Sequence, residues 1–276
     1  MVSDAADVWY EDYQALHGIT MGVRPGEVVG LIGPNGCGKS TLLRAINGIL
    51  KTRGGVITVD GKDASKISLH DMAKTCSSVP TEFPPDFNLS VSEVIMLGRY
   101  PHRKGLWESK EDEDIAERAM EMFELSHLRS RNINNLSSGE RQRTLIAKAY
   151  VQETEIMLVD EPTSHLDIRY SLEVMEYFKG LAEDGTMAVI IACHDINLAA
   201  KYCTRLIMVK NGRIAAAGTP EEIVTPENIA SVYGVRAKVI KEDGMMIMIP
   251  VEPVGGARPG PPAIHQRHPE DTPGAE

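Results

Sequence analysis

The chain has 276 residues, with 29 basic and 39 acidic side chains and a formal net charge of −10. Apolar residues make up 42% and charged residues 25%, ordinary globular usage that excludes a disordered chain, a collagen-like repeat and a disulfide scaffold. The acidic balance argues against broad nucleic-acid binding, which draws on positive charge to release counterions. An anionic ligand would need a positive field built locally.

No stretch approaches the roughly 20 apolar residues that span a bilayer. The longest apolar runs, such as Met187–Cys193, are strand-sized. The N-terminus is acidic and lacks the basic and apolar regions of a signal peptide. Cys37, Cys76, Cys193 and Cys203 show no metal-ligand spacing and read as reduced thiols in a cytosolic protein.

In chain order, Glu27–Ile32 is apolar, bounded by Pro25-Gly26 and Gly33-Pro34, and predicts a buried strand. Ser40–Asn47 follows as a helix ended by Gly48. Val56–Val59 is a β-branched run closed by Asp60-Gly61, a hairpin turn. From about Glu82 to Gln152 buried β-runs are lacking and the pattern is helical. There Ser109 with Asp112 fits a capping box, the acids Glu111–Asp114 read as a solvated helix start, and Ile115, Ala119, Met122 and Phe123 form a core-facing stripe. Strands return at Ile156–Val159 and Met187–Ala192, with a helix around Arg169–Glu183 between them. Leu206–Val209, Asn211-Gly212 and Arg213–Ala217 read as a hairpin, as does Lys238–Pro250 around Asp243-Gly244. From Pro253 the chain is rich in Pro, Gly and charge and reads as a disordered tail.

The string Gly33, Pro34, Asn35, Gly36, Cys37, Gly38, Lys39, Ser40, Thr41 matches G-x-x-x-x-G-K-[ST]. Glycines let backbone N–H groups turn inward as an anion nest, and the helix that follows points its positive end at the same place. Lys39 can reach the β- and γ-phosphates, and Ser40 can ligate Mg²⁺. A plain glycine turn between strand and helix has no use for Lys39 and Ser40 together.

The second acidic feature is the strand Glu155–Asp160, ending in Asp160-Glu161-Pro162. In a phosphate-loop protein, Asp160 can hold Mg²⁺ and Glu161, facing the other way, can address the γ-phosphate and its water. His194, after the strand Val189–Cys193, can hydrogen-bond the γ-phosphate or that water. A structural histidine is the alternative, and the order of the three features favours the functional role.

Leu136-Ser137-Ser138-Gly139-Glu140-Arg141-Gln142-Arg143 precedes a helical run, Thr144–Tyr150. Here the chain resembles the ATP-binding-cassette (ABC) ATPases, whose signature is Leu-Ser-Gly-Gly-Gln or -Glu, with Ser138 in place of the usual first glycine. Ser164-His165-Leu166-Asp167 resembles the family's D-loop. Tyr10 stands where the family places an aromatic that stacks on adenine, with a packed strand tyrosine as the alternative reading. The resemblance covers about residues 8–235. Leu97–His102 and Asp167–Tyr170 look like importer ATPases for iron–siderophore complexes, haem and vitamin B12.

The resemblance implies an α/β fold: a RecA-like mixed-sheet core, an antiparallel β subdomain and a helical subdomain. It implies a cassette over residues 1–252, with helical residues 82–152 inserted, before the tail 253–276. ATP and Mg²⁺ are the implied ligands, with Lys39, Glu161 and His194 catalytic and Ser40, Asp160 and Thr81 at the metal. The implied unit is a head-to-tail pair, with ATP between Lys39, Ser40 and Asp160 of one copy and Ser137 and Gly139 of the other, and with Tyr10, Ser138, Glu140 and Asp167 also implied to bind nucleotide. It also implies permease subunits docked near residues 81–107, an extracytoplasmic solute-binding protein, and a peripheral place on the cytoplasmic face of the membrane. The family expects glutamine after Val79-Pro80, where this chain has Thr81-Glu82. A bridging water, substitution by Glu82, or weakened hydrolysis and coupling are all open. Two other readings stay open as well: a soluble ABC ATPase not tied to a membrane, and a nucleotide-gated dimerisation module slowed by Thr81.

Overall fold

A computed structural model describes residues 1–103 and 109–255 of the chain. The elements begin with strands β1 (Val2–Tyr10), β2 (Tyr13–Gly22) and β3 (Val28–Ile32), helix α1 (Lys39–Ile46), and strands β4 (Thr52–Val59) and β5 (Lys62–Asp63). Helix α2 (Leu69–Thr75) and strand β6 (Cys76–Val79) lead to α3 (Val91–Met96), α4 (Lys110–Met122) and α5 (Ser138–Tyr150). The chain continues through β7 (Ile156–Asp160), α6 (Ile168–Glu183), β8 (Ala188–Ala192), α7 (Ile196–Tyr202), β9 (Arg205–Lys210) and β10 (Arg213–Gly218). It closes with α8 (Pro220–Ile223), α9 (Pro226–Tyr233) and the hairpin of β11 (Val235–Glu242) and β12 (Met245–Pro253).

The central sheet has the order β10-β9-β3-β8-β7-β6, parallel throughout except for the antiparallel β9–β10 edge. Both its faces are covered, which is why β3, β7 and β8 read as unbroken apolar runs rather than alternating ones. Along β8, Val189 and Ile191 join one core with α5, α6 and α7, while Ala188, Ile190 and Ala192 join a second core with α1. The second core also holds the inner face of a four-stranded antiparallel sheet, β2-β1-β4-β5. Leu42 and Ile46 fix α1 there, each fully buried and each contributing about 1.5–3 kcal/mol relative to exposure.

Between β6 and β7 the described residues carry α3, α4, α5 and short 3-10 turns. Several details here depart from expectation. The stripe on α4 buries Ile115, Ala119 and Phe123, but Met122 is half-exposed and Met120 takes the core position. The capping box of Ser109 and Asp112 forms, yet Asp112 is not solvated. Its Oδ1 accepts from Arg99 Nε at 2.8 Å, and the buried Arg99 also donates to the Val151 carbonyl and to Glu153, each at 2.6 Å. The acid needed for the cap is thus also the buried partner of a residue thirteen positions earlier.

β1 starts at Val2, and its pairing with β2 slips between Ser3 and Ala6 and again before Val8 and Trp9. Those irregularities break the two-residue alternation and hide the strand in the sequence. Helix α5 begins at Ser138, earlier than the apolar run from Thr144, because the polar signature residues form its first turns. β12 extends to Pro253, and the rest of the expected tail, from 256 onward, lies outside the described residues. Residues 104–108 of the expected docking segment also lie outside them.

Candidate active site

The parallel strands β3, β8 and β7 are neighbours, so their C-terminal ends open side by side. Each end delivers one feature: the phosphate loop after β3, His194 after β8, and Asp160-Glu161 after β7. Segments far apart in sequence therefore meet at one edge, where an open α/β sheet binds its ligands.

Gly33 leaves β3 with φ of 150°, and a methyl group there would come within 2.2 Å of the Val209 carbonyl oxygen. Only glycine fits against β9 at that point. The loop then runs over Pro34, Asn35, Gly36 and Cys37 to Gly38, which caps α1 in a left-handed conformation with no side-chain hydrogen bond. Among the described residues every other α-helix, α2 to α9, has a Ser, Thr or Asp at this position whose side chain accepts a backbone N–H of the first turn. α1 alone thus leaves its first N–H groups to an outside acceptor, in a loop already built as an anion nest.

Lys39 is buried, with only 4% of its surface exposed. Its ammonium donates to the Gly33 carbonyl at 2.8 Å and reaches the Pro34 carbonyl at 3.4 Å, so it curls over the loop on carbonyl partners. A buried ammonium held this way suits an incoming polyanion. A cavity of about 210 Å³ lies above it, lined by Asn35, Gly36, Gly38, Lys39, Ser40, Thr41, Glu161 and His194. Cys37 faces inward instead, and burial pushes its thiol pKa up against the lowering effect of Lys39.

The Ser40 hydroxyl donates to Asp160 Oδ1 at 2.9 Å. Burial raises the Asp160 pKa, opposed by Ser40 and reinforced by the charge of Glu161, with Arg44 and Lys39 pulling it down. A half-buried carboxylate in that state gains from a bound cation. Two adjacent hard oxygens suit Mg²⁺, which takes one or two protein ligands beside phosphate and water. The donor set therefore fits the ion. Arg44 was not anticipated, although it lies four residues after Ser40 and so on the same face of α1.

Glu161 adopts φ of 49°, a left-handed conformation that costs a non-glycine residue about 1–3 kcal/mol. Its N–H donates to the Ala192 carbonyl at 3.0 Å, and its own carbonyl accepts from Ser164 at 3.1 Å. This kink turns the chain after β7 and accompanies a carboxylate aimed at the end of β8. Glu161 Oε1 ends 2.5 Å from His194 Nε2. Thr81 meets the same strand end from the other side, donating its hydroxyl to the main-chain carbonyl of Asp160 at 3.0 Å. That bond adds one rung beyond the Val79–Val159 pairing of β6 with β7.

The remaining candidates lie elsewhere on the chain. Ser137 caps α5, accepting from Glu140 N–H, while Glu140 accepts in return from Ser137 N–H at 2.8 Å. Ser137 and Ser138 are exposed, and Gly139 is buried. Asp167 caps α6 by accepting from Tyr170 N–H at 3.0 Å. Tyr10 ends β1 opposite Tyr13, with 37% of its surface exposed, so it is not a packed strand tyrosine. None of these lines the cavity above Lys39.

Residues 16–164 match the family described as ABC transporter. The chain belongs to the ABC transporter family. As an ABC ATP-binding subunit it is an ATPase coupled to transport. It is 39% identical over 241 residues to the petrobactin import ATP-binding protein FpuC of Bacillus anthracis, covering 86% of this chain and 88% of that one. It is 36% identical over 233 residues to the cobalamin import ATP-binding protein BtuD of Halobacterium salinarum, covering 84% of this chain and 58% of that longer one. A solved ATP-binding cassette, in a dimeric post-hydrolysis state with ADP and Pi, superposes with a TM-score of 0.71 at 27% identity, covering 80% of this chain and 99% of its own. Among the described residues of this ABC ATPase, no helix is long and apolar enough to cross a membrane.

Proposed function

We propose that this ABC ATPase energises uptake of an iron complex or cobalamin through partner permease subunits, working as an ATP-bridged pair on the cytoplasmic face of the membrane. The observation that carries the ATP chemistry is the convergence on one cavity of an uncapped helix start, the buried Lys39 ammonium and the Glu161–His194 pair. The cargo class is supported by relatives named for petrobactin and cobalamin import, and the pairing by the dimeric solved cassette.

In this reading the N–H groups of the loop and of α1 cradle the phosphates, and Lys39 moves from the Gly33 carbonyl onto the β- and γ-oxygens. Ser40 and Asp160 would hold Mg²⁺, which when bound would offset charge on the phosphate oxygens. Glu161 accepts a proton from the attacking water. His194, whose Nε2 already meets Glu161, braces that carboxylate and the γ-phosphate. Little covalent work falls to the protein, since phosphoryl transfer is driven by positioning and charge. Ser137 and Ser138 stand exposed at the start of α5, whose positive end can complete the site of a second copy. ATP then favours the closed pair because only that state offers both half-sites, and hydrolysis removes the bridge. Tyr10 would stack on the adenine.

Two measurements test this. Phosphate release by the purified chain should depend on Mg²⁺. Cells lacking the protein should lose uptake of a labelled ferric siderophore or of labelled cobalamin. Normal uptake of both would refute the importer assignment, and absence of phosphate release, with or without permease, would refute the hydrolytic one.

A further inference from the structure

Gly139 sits at the second position of α5, and its backbone is not in the left-handed region. Alanine would form this helix better, so glycine there needs a reason other than conformation. Approach to a nucleotide is one candidate. The structure offers another. Ser137 and Ser138 face solvent, but Gly139 is buried and faces the interior. A methyl group at Gly139 would lie 2.8, 3.0 and 3.1 Å from Cδ1, Cγ and Cε1 of Tyr170. Those atoms belong to the root and near edge of a ring, which cannot swing aside as the end of a flexible chain can.

The main chain of Tyr170 is fixed at the start of α6, and a cation lies over its ring. Its N–H donates to Asp167 in the cap of α6, and the Arg169 guanidinium carbon lies 5.9 Å from its ring centroid. Arg169 pairs with Glu173 at 2.8 Å, and Glu173 also faces Arg143 of α5 at 3.9 Å. The first turns of α5 and α6 are thus keyed together by one ring pressed on one glycine, with a three-charge bridge beside it.

We propose that Tyr170 is the positioning residue of the signature turn and that Gly139 is glycine to admit its ring, so that the start of α5 is set against the start of α6 by this contact. The functional half of this rests on the ATP-bridged pair proposed above, in which the signature turn of one copy would reach the other copy's nucleotide at the angle this contact sets. Ser137 is then presented to the nucleotide in a fixed orientation, whatever the cargo.

The test is a double-mutant cycle in the full chain with Gly139→Ala, Tyr170→Ala and both together, plus Tyr170→Phe to keep the ring. Two readouts are taken: thermal unfolding of the single chain, and ATP-dependent dimerisation by light scattering in a Glu161→Gln background. Gly139→Ala is expected to weaken dimerisation at least tenfold and lower the melting temperature. Adding Tyr170→Ala should recover most of both losses, and Tyr170→Phe should stay close to the parent. A double variant no better than Gly139→Ala would show that glycine serves the nucleotide rather than the ring, and overturns the proposal. So would a Gly139→Ala chain indistinguishable from the parent. If Gly139→Ala does not fold, recovery of folded protein in the double variant supports the contact and failure to recover it overturns it. Should the Glu161→Gln parent not dimerise on ATP, the bridged pair is what fails, and additive melting temperatures would separately refute the keyed contact.

Discussion

Thr81 stands where the family resemblance implies glutamine, and it is tied directly to the end of β7. Its hydroxyl donates to the Asp160 carbonyl at 3.0 Å, while the Asp160 carboxylate accepts from Ser40 at 2.9 Å. The loop after β6 is thereby tied to the residue proposed to hold Mg²⁺. Thr81→Val keeps the shape and removes the donor. A hydrogen bond of this kind is worth about 1 kcal/mol net, and a half-buried carbonyl left unpaired places the cost at or above that figure. If the bond holds Asp160 in its metal-binding position, about 1 kcal/mol translates into roughly a fivefold higher Mg²⁺ concentration for half-maximal turnover. Thr81→Ser restores the donor and should restore the Mg²⁺ dependence. The assay is steady-state phosphate release against free Mg²⁺ at saturating ATP. Equal Mg²⁺ dependence in wild type and Thr81→Val, or a serine variant as impaired as valine, would refute the link between loop and carboxylate. Thr81→Gln gives up this bond for a longer amide and is expected to raise permease-coupled turnover. Unchanged turnover in reconstituted vesicles would show that the position is already compensated.

Glu161→Gln should retain ATP binding and lose turnover by about 10²–10⁴-fold, the range for a lost general base, measured as phosphate release beside nucleotide binding; undiminished release would remove Glu161 from that role. Lys39→Ala should abolish high-affinity ATP binding while leaving the melting temperature close to wild type, since Lys39 bonds only to loop carbonyls; retained affinity would remove the ammonium from the phosphate site. Asp112→Asn should cost about 3 kcal/mol, the lower end for breaking a buried pair because Glu153 still meets Arg99, and lower the melting temperature by roughly 6–12 °C. Burial would raise the Asp112 pKa, but Ser109 and Arg99 outweigh it and hold the carboxyl below the usual range. Its contribution is therefore complete above about pH 4 and is lost as pH falls through the lower folded value, so the asparagine variant should show a shallower loss of stability in acid.

Strands β3, β7 and β8, the three hairpin turns and the phosphate loop were legible in the sequence because each is a local pattern: an apolar run, an Asn-Gly or Asp-Gly turn, a glycine spacing. Features made by distant partners were not. Nothing near Asp112 announces Arg99, and its first-turn position predicted a solvated acid. Nothing near Gly33 announces the Val209 carbonyl, so its glycine was legible as a turn and not as a contact. Short β6 was missed because four residues carry too little pattern, and β1 and β2 because the register of their pairing slips.

The site itself was legible for a reason that the folded chain makes explicit. Asp160, Glu161 and His194 each stand one or two residues past an apolar run, and parallel strands put such positions on a common edge. What the sequence left open was which way each side chain turns. Glu161 is aimed by a left-handed backbone that no residue-type rule assigns to glutamate, and it is held there by carbonyl and amide partners on β8 and the following turn. The charge problem posed by a chain of net −10 is resolved in the same local way. Among the described residues eight α-helices close their first turn with their own Ser, Thr or Asp, while α1 starts from Gly38, beside a buried lysine that donates to the Gly33 and Pro34 carbonyls. That one unfilled helix start supplies the positive field that composition denied, and its position at the end of β3 places the field where Asp160 and Glu161 can act on whatever fills it.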